Sequence, residues 1–328
     1  MAISDQLDML GLDETVSQIK AGAGSLAGRS RKILRVERAH DLLSQMPAPE
    51  DLFFLHSGLC QTFLPHSRPA SNRDVWRRSS GKFSMMVSPG VIDGGKEEGA
   101  SYVGVPFGVK ARLILIHLQT EGMKGRTVDL GASLSAFIRS LGLPVTGGER
   151  GTIKSIKEQT LRIARCRFTL QWTDNDAKGN RRTMITDQQI VDGLDLFLSA
   201  DGQEWTGTVQ LSERFQEHLQ EHAVPLDKRG IALLSGNSLG LDLYALFAYR
   251  LPKLTKQLNL RWSAVAEQLG SSYAEDKSLA RAIREALVHV ADAYPSAKFD
   301  VTPSGLILYP SPPAVPKTQV QGMRLITS

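Results

Sequence analysis

Cysteine is scarce in this chain: 328 residues contain two, Cys60 and Cys166. Two thiols make no disulfide framework, so the pattern predicts a reduced, cytoplasmic setting, with Cys166 packed as a small buried group. Long apolar runs are missing too. None nears the roughly 20 residues of a membrane span, which predicts no membrane partner. Asp5 and Asp8 stand where a secretory leader would carry basic residues. Aromatic residues make up only 6% of the chain, and Trp172, Trp205 and Trp262 read as core or hairpin packing rather than as platforms for stacked bases. Signatures of catalysis are thin. No two histidines are separated by a single residue, which removes the metal pair of a nicking replication enzyme. Gly148 to Ser155 has the glycines of a phosphate loop but neither its Gly-Lys pair nor a strand before it, which argues against an intrinsic ATPase. The expectation is a protein with no catalytic residue, no cofactor and no metal.

What is present is a mild basic excess: 39 Lys and Arg against 34 Asp and Glu, a net charge of +5 and a pI of about 9.2. Such a balance permits nucleic-acid binding without demanding it. At 41% hydrophobic and 22% charged, the composition is that of a globular protein. The length allows two or three domains, each with its own core.

The stretch from Val103 to Trp172 organises the rest. It predicts a helix over Gly108–Met123, a short strand at Thr127–Leu130, a second helix over Ala132–Leu141 that stops at Gly142, and a turn from Pro144 to Gly148. A third helix follows from Glu149 to Arg165. Its apolar stripe is Ile153, Ile156, Thr160, Ile163 and Ala164, and its polar face carries Arg150, Lys154, Ser155, Lys157 and Arg165. Alternating residues at Phe168, Leu170 and Trp172, a polar turn over Asp174–Arg182 and a return strand from Met184 read as a β-wing. The same order recurs later: helix Leu239–Leu251, strand Asn259–Arg261, helix Trp262–Leu269, third helix Asp276–Ala293, then a hairpin around Pro303-Ser304-Gly305. The two halves share almost no identical residues, so the repeat is one of architecture.

The fold class expected is α+β, with two tandem winged-helix domains at 83–203 and 204–310. Before them lies a helical, flexible and basic N-terminal region, 1–82, expected to be dispensable for DNA binding; within it Pro65–Lys82 reads as a basic linker. After them, 311–328 is a Pro-rich tail expected to be disordered.

A helix that reads DNA needs short or forked donors aimed at base edges, with cations beside them for phosphates. In the first domain Arg150, Thr152, Lys154, Ser155, Lys157 and Arg165 fit, with Lys178, Arg181 and Arg182 on the wing; Asp174 and Asp176 oppose them there. In the second domain Lys277, Ser278, Arg281 and Arg284 fit. The competing readings are ordinary amphipathic helices with solvated charge, a winged-helix module that docks on protein, and a transcriptional regulator, which would need a ligand pocket or a dimerisation helix. One further alternative is a metallohydrolase: His218-Leu219-Gln220-Glu221-His222 has the H-x-x-E-H spacing, but no third ligand can be identified.

Several stretches together carry a resemblance: Val105-Pro106-Phe107-Gly108-Val109-Lys110-Ala111-Arg112-Leu113-Ile114-Leu115, Leu130-Gly131-Ala132-Ser133-Leu134-Ser135-Ala136-Phe137, Leu141-Gly142-Leu143 with Thr146-Gly147-Gly148, and Glu158-Gln159-Thr160 with Arg162-Ile163. The entry strand Met85-Met86-Val87-Ser88-Pro89-Gly90 joins them. From about Trp76 onward the chain resembles plasmid replication initiators of the RepA type, in their C-terminal region. The resemblance implies binding to repeats (iterons) in double-stranded origin DNA, opening of the origin, copy control, recruitment of the host replication initiator and helicase machinery, and a possible homodimer.

Overall fold

The computed structural model describes residues 3–93, 99–175, 181–198, 205–269 and 276–316. It begins with helices α1 (Ile3–Ala21) and α2 (Leu26–Ser44), followed by strands β1 (Leu52–His56), β2 (Trp76–Ser80), β3 (Phe83–Ser88), β4 (Val91–Asp93) and β5 (Ala100–Tyr102). Next come α3 (Gly108–Gly122), β6 (Thr127–Asp129), α4 (Leu134–Ser140), α5 (Thr152–Arg165), β7 (Arg167–Asn175), β8 (Arg181–Gln189), β9 (Val191–Leu198), β10 (Trp205–Leu211) and α6 (Glu213–His222). The last part holds β11 (Ala223–Asp227), α7 (Lys228–Leu234), α8 (Ser238–Arg250), β12 (Leu258–Arg261), α9 (Trp262–Leu269), α10 (Asp276–Ala293), β13 (Phe299–Val301) and β14 (Gly305–Leu308). This is a mixed helix-and-sheet protein, as α+β predicts.

Packing divides the chain into a central unit, Phe54–Val224 with Ser263–Ala274, and a terminal unit, Met1–Phe53, Pro225–Trp262 and Glu275–Ser328. These lines differ from the linear division into 1–82, 83–203, 204–310 and 311–328.

In the central unit α3 is apolar nearly all round, and Ala111, Leu113, Ile114, Leu115, Ile116 and Leu118 are buried. A helix of that kind belongs inside a core. Arg112 is buried with them because its guanidinium donates to the backbone oxygens of Leu64 (2.7 Å) and Pro65 (3.1 Å). A four-stranded antiparallel sheet, in order β2-β3-β7-β8, turns Phe83, Met85, Val87, Phe168 and Leu170 inward. Two expectations are corrected here. The segment read as a basic linker contains β2 and buried core residues precede it at Cys60, Phe63 and Leu64, so residues up to Gly81 cannot be removed without stripping this unit. The hairpin read as the wing does form, as β7 and β8, but its sheet partners are β2 and β3. The strands that close on β6 are β10 and β9, with Val209 opposite Val128.

In the terminal unit the three-stranded sheet has the order β12-β14-β13, with Leu260 opposite Leu306 and Leu258 opposite Leu308. Leu279, Ile283, Leu287 and Val290 form the inner face of α10, as the periodicity predicts. The N-terminal segment is ordered rather than loose. α1 and α2 share an apolar cluster of Leu7, Val36 and Ala39 with Ile3, Leu12, Val16 and Ile19. Gly11 breaks α1 at a φ of +74°, a conformation that costs glycine little, and Ser25 caps α2 by accepting from the Gly28 N–H. The start of the Pro-rich tail is also packed: Val315 is buried, Ser311 N–H donates to Leu251 O, and Tyr294 Oη donates to Pro312 O. Residues 317–328 of that tail lie outside the described residues.

Candidate nucleic-acid interface

Helix α5 is held at both ends. At its start Thr146 and Thr152 exchange hydrogen bonds: Thr152 N–H donates to Thr146 Oγ1 (3.0 Å) and Thr146 N–H to Thr152 Oγ1 (2.9 Å), while Thr152 Oγ1 donates to Pro144 O (2.7 Å). Thr152 is therefore buried, and Ser155 spends its hydroxyl on Gly151 O (2.8 Å). Two of the sequence-predicted DNA contacts thus serve the turn and the helix start rather than the outer face. Along the inner side, Gln159 Oε1 accepts from Phe107 N–H (2.9 Å), and the buried Arg162 guanidinium donates to Val105 O (2.9 Å). These bonds give the Val-Pro-Phe stretch a structural role as the seat of α5.

The face left outward carries Lys154 and Arg165, with Lys157 half-buried beside them and Arg150 exposed in the preceding turn. Lys154 Nζ lies 2.7 Å from both carboxylate oxygens of Glu149. The hydrogen bond and charge of that ammonium hold the Glu149 carboxyl below the usual carboxylate range. Arg165 donates to Val91 O at 3.0 Å. Lys178 lies outside the described residues, as do the side chains of Arg181 and Arg182, whose backbone opens β8.

On α10 the outward residues are Ser278, Arg281, Glu285 and Val288, with Arg284 beside them. Lys277 falls in the first turn of the helix, and its side chain lies outside the described residues. Arg281 Nε donates to Glu285 Oε1 at 3.0 Å. The Arg284 guanidinium sits 5.9 Å from the ring centroid of Trp262, whose indole N–H donates to Pro303 O in the hairpin turn (3.0 Å). Trp262 is buried, in keeping with the packing role expected of it. Sequence reading passed over Glu149, Glu285 and Val288. The carboxylates resembled solvated surface charge, and Val288 sits at the margin of the apolar stripe, where periodicity does not separate inside from outside.

The H-x-x-E-H stretch lies on α6, which Ser212 caps by accepting from the Phe215 N–H. His56, at the end of β1, joins it: His56 Nε2 is 2.8 Å from His218 Nδ1, and the His218 and His222 rings lie 4.3 Å apart. No spacing in the sequence could link His56 to a helix 162 positions away. Among the described residues, no group of three or more His, Cys, Asp or Glu is placed to hold a metal ion. His56 Nδ1 accepts from Gly58 N–H (3.1 Å), so that nitrogen carries no proton and Nε2 is the donor toward His218. Burial, then the charges of His218 and His222, lower the His56 pKa from 6.5 to about 3. Between those two values the unfolded chain binds a proton that the folded protein does not, so stability falls as the pH drops below 6.5. From pH 7.5 to pH 5 we expect a loss of about 2 kcal/mol from this residue. Urea titrations at the two pH values check it; a His56→Gln variant should show a shallower dependence, and equal slopes would count against the assignment.

Gly236-Asn237-Ser238-Leu239-Gly240 has the spacing of a nucleophile elbow, but it joins α7 to α8 with no strand before it, and the Asn237 side chain caps Gly240 N–H (2.9 Å). An elbow needs a strand-to-helix turn. Cys166 is buried, and burial pushes its thiol up to about 11, consistent with a packing role. Among the described residues, no helix is long and apolar enough to cross a membrane.

Solved structures similar to the chain include a selenomethionine derivative of domains 2 and 3 of RctB, 13% identical, with a TM-score of 0.43 over 70% of this chain and 83% of that one. A second structure of RctB domains 2–3 is 13% identical, with a TM-score of 0.42 over 76% of this chain and 94% of that one. No curated protein matches the chain. Residues 105–266, which span α3, α5 and the seat that Phe107 and Val105 provide, match the family model of the plasmid encoded RepA protein. Through that region the chain is similar to the plasmid encoded RepA family.

Proposed function

We propose that the protein is a plasmid replication initiator that binds origin repeats in duplex DNA through the outward faces of α5 and α10, acting by binding rather than by catalysis. Each helix is the third of a winged-helix module in this reading. The first module comprises α3, β6, α4, α5, β9 and β10, with the β7–β8 hairpin inserted; the second comprises α8, β12, α10, β13 and β14 of the terminal unit, with α9 between β12 and α10 in chain order. One observation carries the reading. With the β7–β8 hairpin set aside, both halves run helix, strand, helix, helix, strand, strand, and in both the first strand pairs with the last, in sheet orders β6-β10-β9 and β12-β14-β13. That is the connectivity that presents a third helix beside a wing. Lys154 and Lys157 in the first module, and Arg281 and Arg284 in the second, supply the cations such helices use on DNA. The exposed Val288 suits contact with a thymine methyl group. Bound at several repeats, the protein would favour opening of an adjacent A·T-rich segment through DNA deformation and contacts to host initiator and helicase.

Fluorescence anisotropy tests this, with a duplex that the protein selects from a randomised pool set against a scrambled duplex. Lys154→Ala and Arg281→Ala should each weaken binding to the selected duplex by about 1–3 kcal/mol, with a smaller change on the scrambled one. If both variants bind both duplexes as the parent does, the reading helices have been misassigned.

A further inference from the structure

Both candidate reading helices offer DNA a cation that a carboxylate already holds. For Lys154 on α5 the partner is Glu149 in the preceding turn, with its side chain 87% exposed against 60% for Lys154; for Arg281 on α10 it is Glu285, 68% exposed against 81% for Arg281. Pairs this exposed add little to a fold, and an arginine placed before a glutamate at i and i+4 is in the weaker order on a helix. Glu158 is different. It binds the buried Arg162 as well as Arg68, so its carboxylate belongs to the packing of α5. Stability therefore explains Glu158 but not Glu149 or Glu285.

Resting on the proposed DNA-binding role of α5 and α10, we infer that Glu149 and Glu285 are specificity-determining residues that suppress binding to arbitrary DNA. Before Lys154 or Arg281 can meet a phosphate it must leave its carboxylate, and that carboxylate then faces a polyanion. The cost is the same on every duplex. A phosphate contact alone recovers little of it, because a phosphate replaces a carboxylate like for like. A base edge recovers more: Arg281 can make a bidentate contact with guanine O6 and N7, and a glutamate can accept from the cytosine amino group. A repulsive element that only the correct partner offsets widens the gap between right and wrong sequences.

The test uses the full chain with Glu149→Gln, Glu285→Gln and the double variant, thermal melts confirming that each is folded. The probes are the selected and scrambled duplexes, followed by anisotropy across a salt series. The double variant should bind the scrambled duplex about tenfold more tightly and gain much less on the selected one, so selectivity falls. The slope of log affinity against log salt on the scrambled duplex should steepen by about 0.9 for each freed cation. Unchanged scrambled-duplex affinity and slope, while Lys154→Ala and Arg281→Ala still weaken selected binding, would overturn this inference and leave the proposed function standing. If the alanine variants are also without effect, both fall. Glu158→Gln is the contrast: it should lower thermal stability without raising affinity for scrambled DNA.

Discussion

Arg162→Ala is expected to lower the stability of the central unit by about 3–5 kcal/mol, the range for removing one partner from a buried charged network. The side chain is 3% exposed. Its Nη1 donates to Val105 O (2.9 Å), and its Nη2 donates to Asn72 Oδ1 (3.1 Å) and Glu158 Oε1 (2.8 Å). The guanidinium also lies 5.1 Å from the Phe107 ring centroid. Truncation leaves the Val105 carbonyl and the Asn72 amide without this donor and opens a void beneath α5. Gly104 is part of the same design. Its φ of +78° suits glycine, and a Cβ there would collide with the Arg162 guanidinium. Arg162→Lys should restore only a small part of the loss, because an ammonium cannot span three acceptors as the planar fork does. Urea unfolding followed by circular dichroism reads the effect. Binding to the selected duplex should fall with it, since α5 loses its seat. A change below about 1 kcal/mol would mean that the network does not hold the helix.

The second large effect belongs to the terminal unit. The Asp292 side chain, near the end of α10, is fully buried. It accepts from Ile3 N–H at 2.7 Å and pairs with Arg35 of α2. Arg35→Ala should cost about 3–5 kcal/mol, because it strands a buried carboxylate with one backbone donor in place of a full charge partner. The double variant Arg35→Met with Asp292→Leu should recover most of that loss, since it removes the desolvated charge altogether and fills the space. Denaturant titration separates the three proteins. Limited proteolysis in the turn between α1 and α2 should be fastest for the single variant, in which the helices lose their tie to α10. If the single and double variants prove equally unstable, lost packing rather than a stranded charge is the cause. Asp292 is buried on α10 and Arg35 lies on α2, so the double variant leaves the outward face of α10 intact and should retain selective DNA binding.

Periodicity along the chain was enough to locate α3, β6, α4, α5, α8, α9 and α10. The helices among them depend on contacts three or four residues apart, and helix ends are written in local chemistry: Ser133 and Ser212 accept from the third helical N–H, and Gly142 follows α4. Outward cations such as Lys154 and Arg281 were legible for the same reason, because a buried stripe at helical spacing leaves the opposite face to solvent. The family resemblance was legible too, since it rests on contiguous residues. Strand pairing was not. Alternation says that a segment is a strand but names no partner, so it offers the β7–β8 hairpin as the wing, whereas β6 pairs with β10, some 80 residues away. Thr152 and Ser155 looked like DNA donors because a hydroxyl near a helix start can face either way; the hydrogen bonds with Thr146 and Gly151 decided it. The meeting of His56 with His218, the tie from Arg35 to Asp292 and the packing of Val315 join residues far apart in sequence. Only the closed core could bring these together, because each contact forms at the cost of loop entropy that no local pattern records.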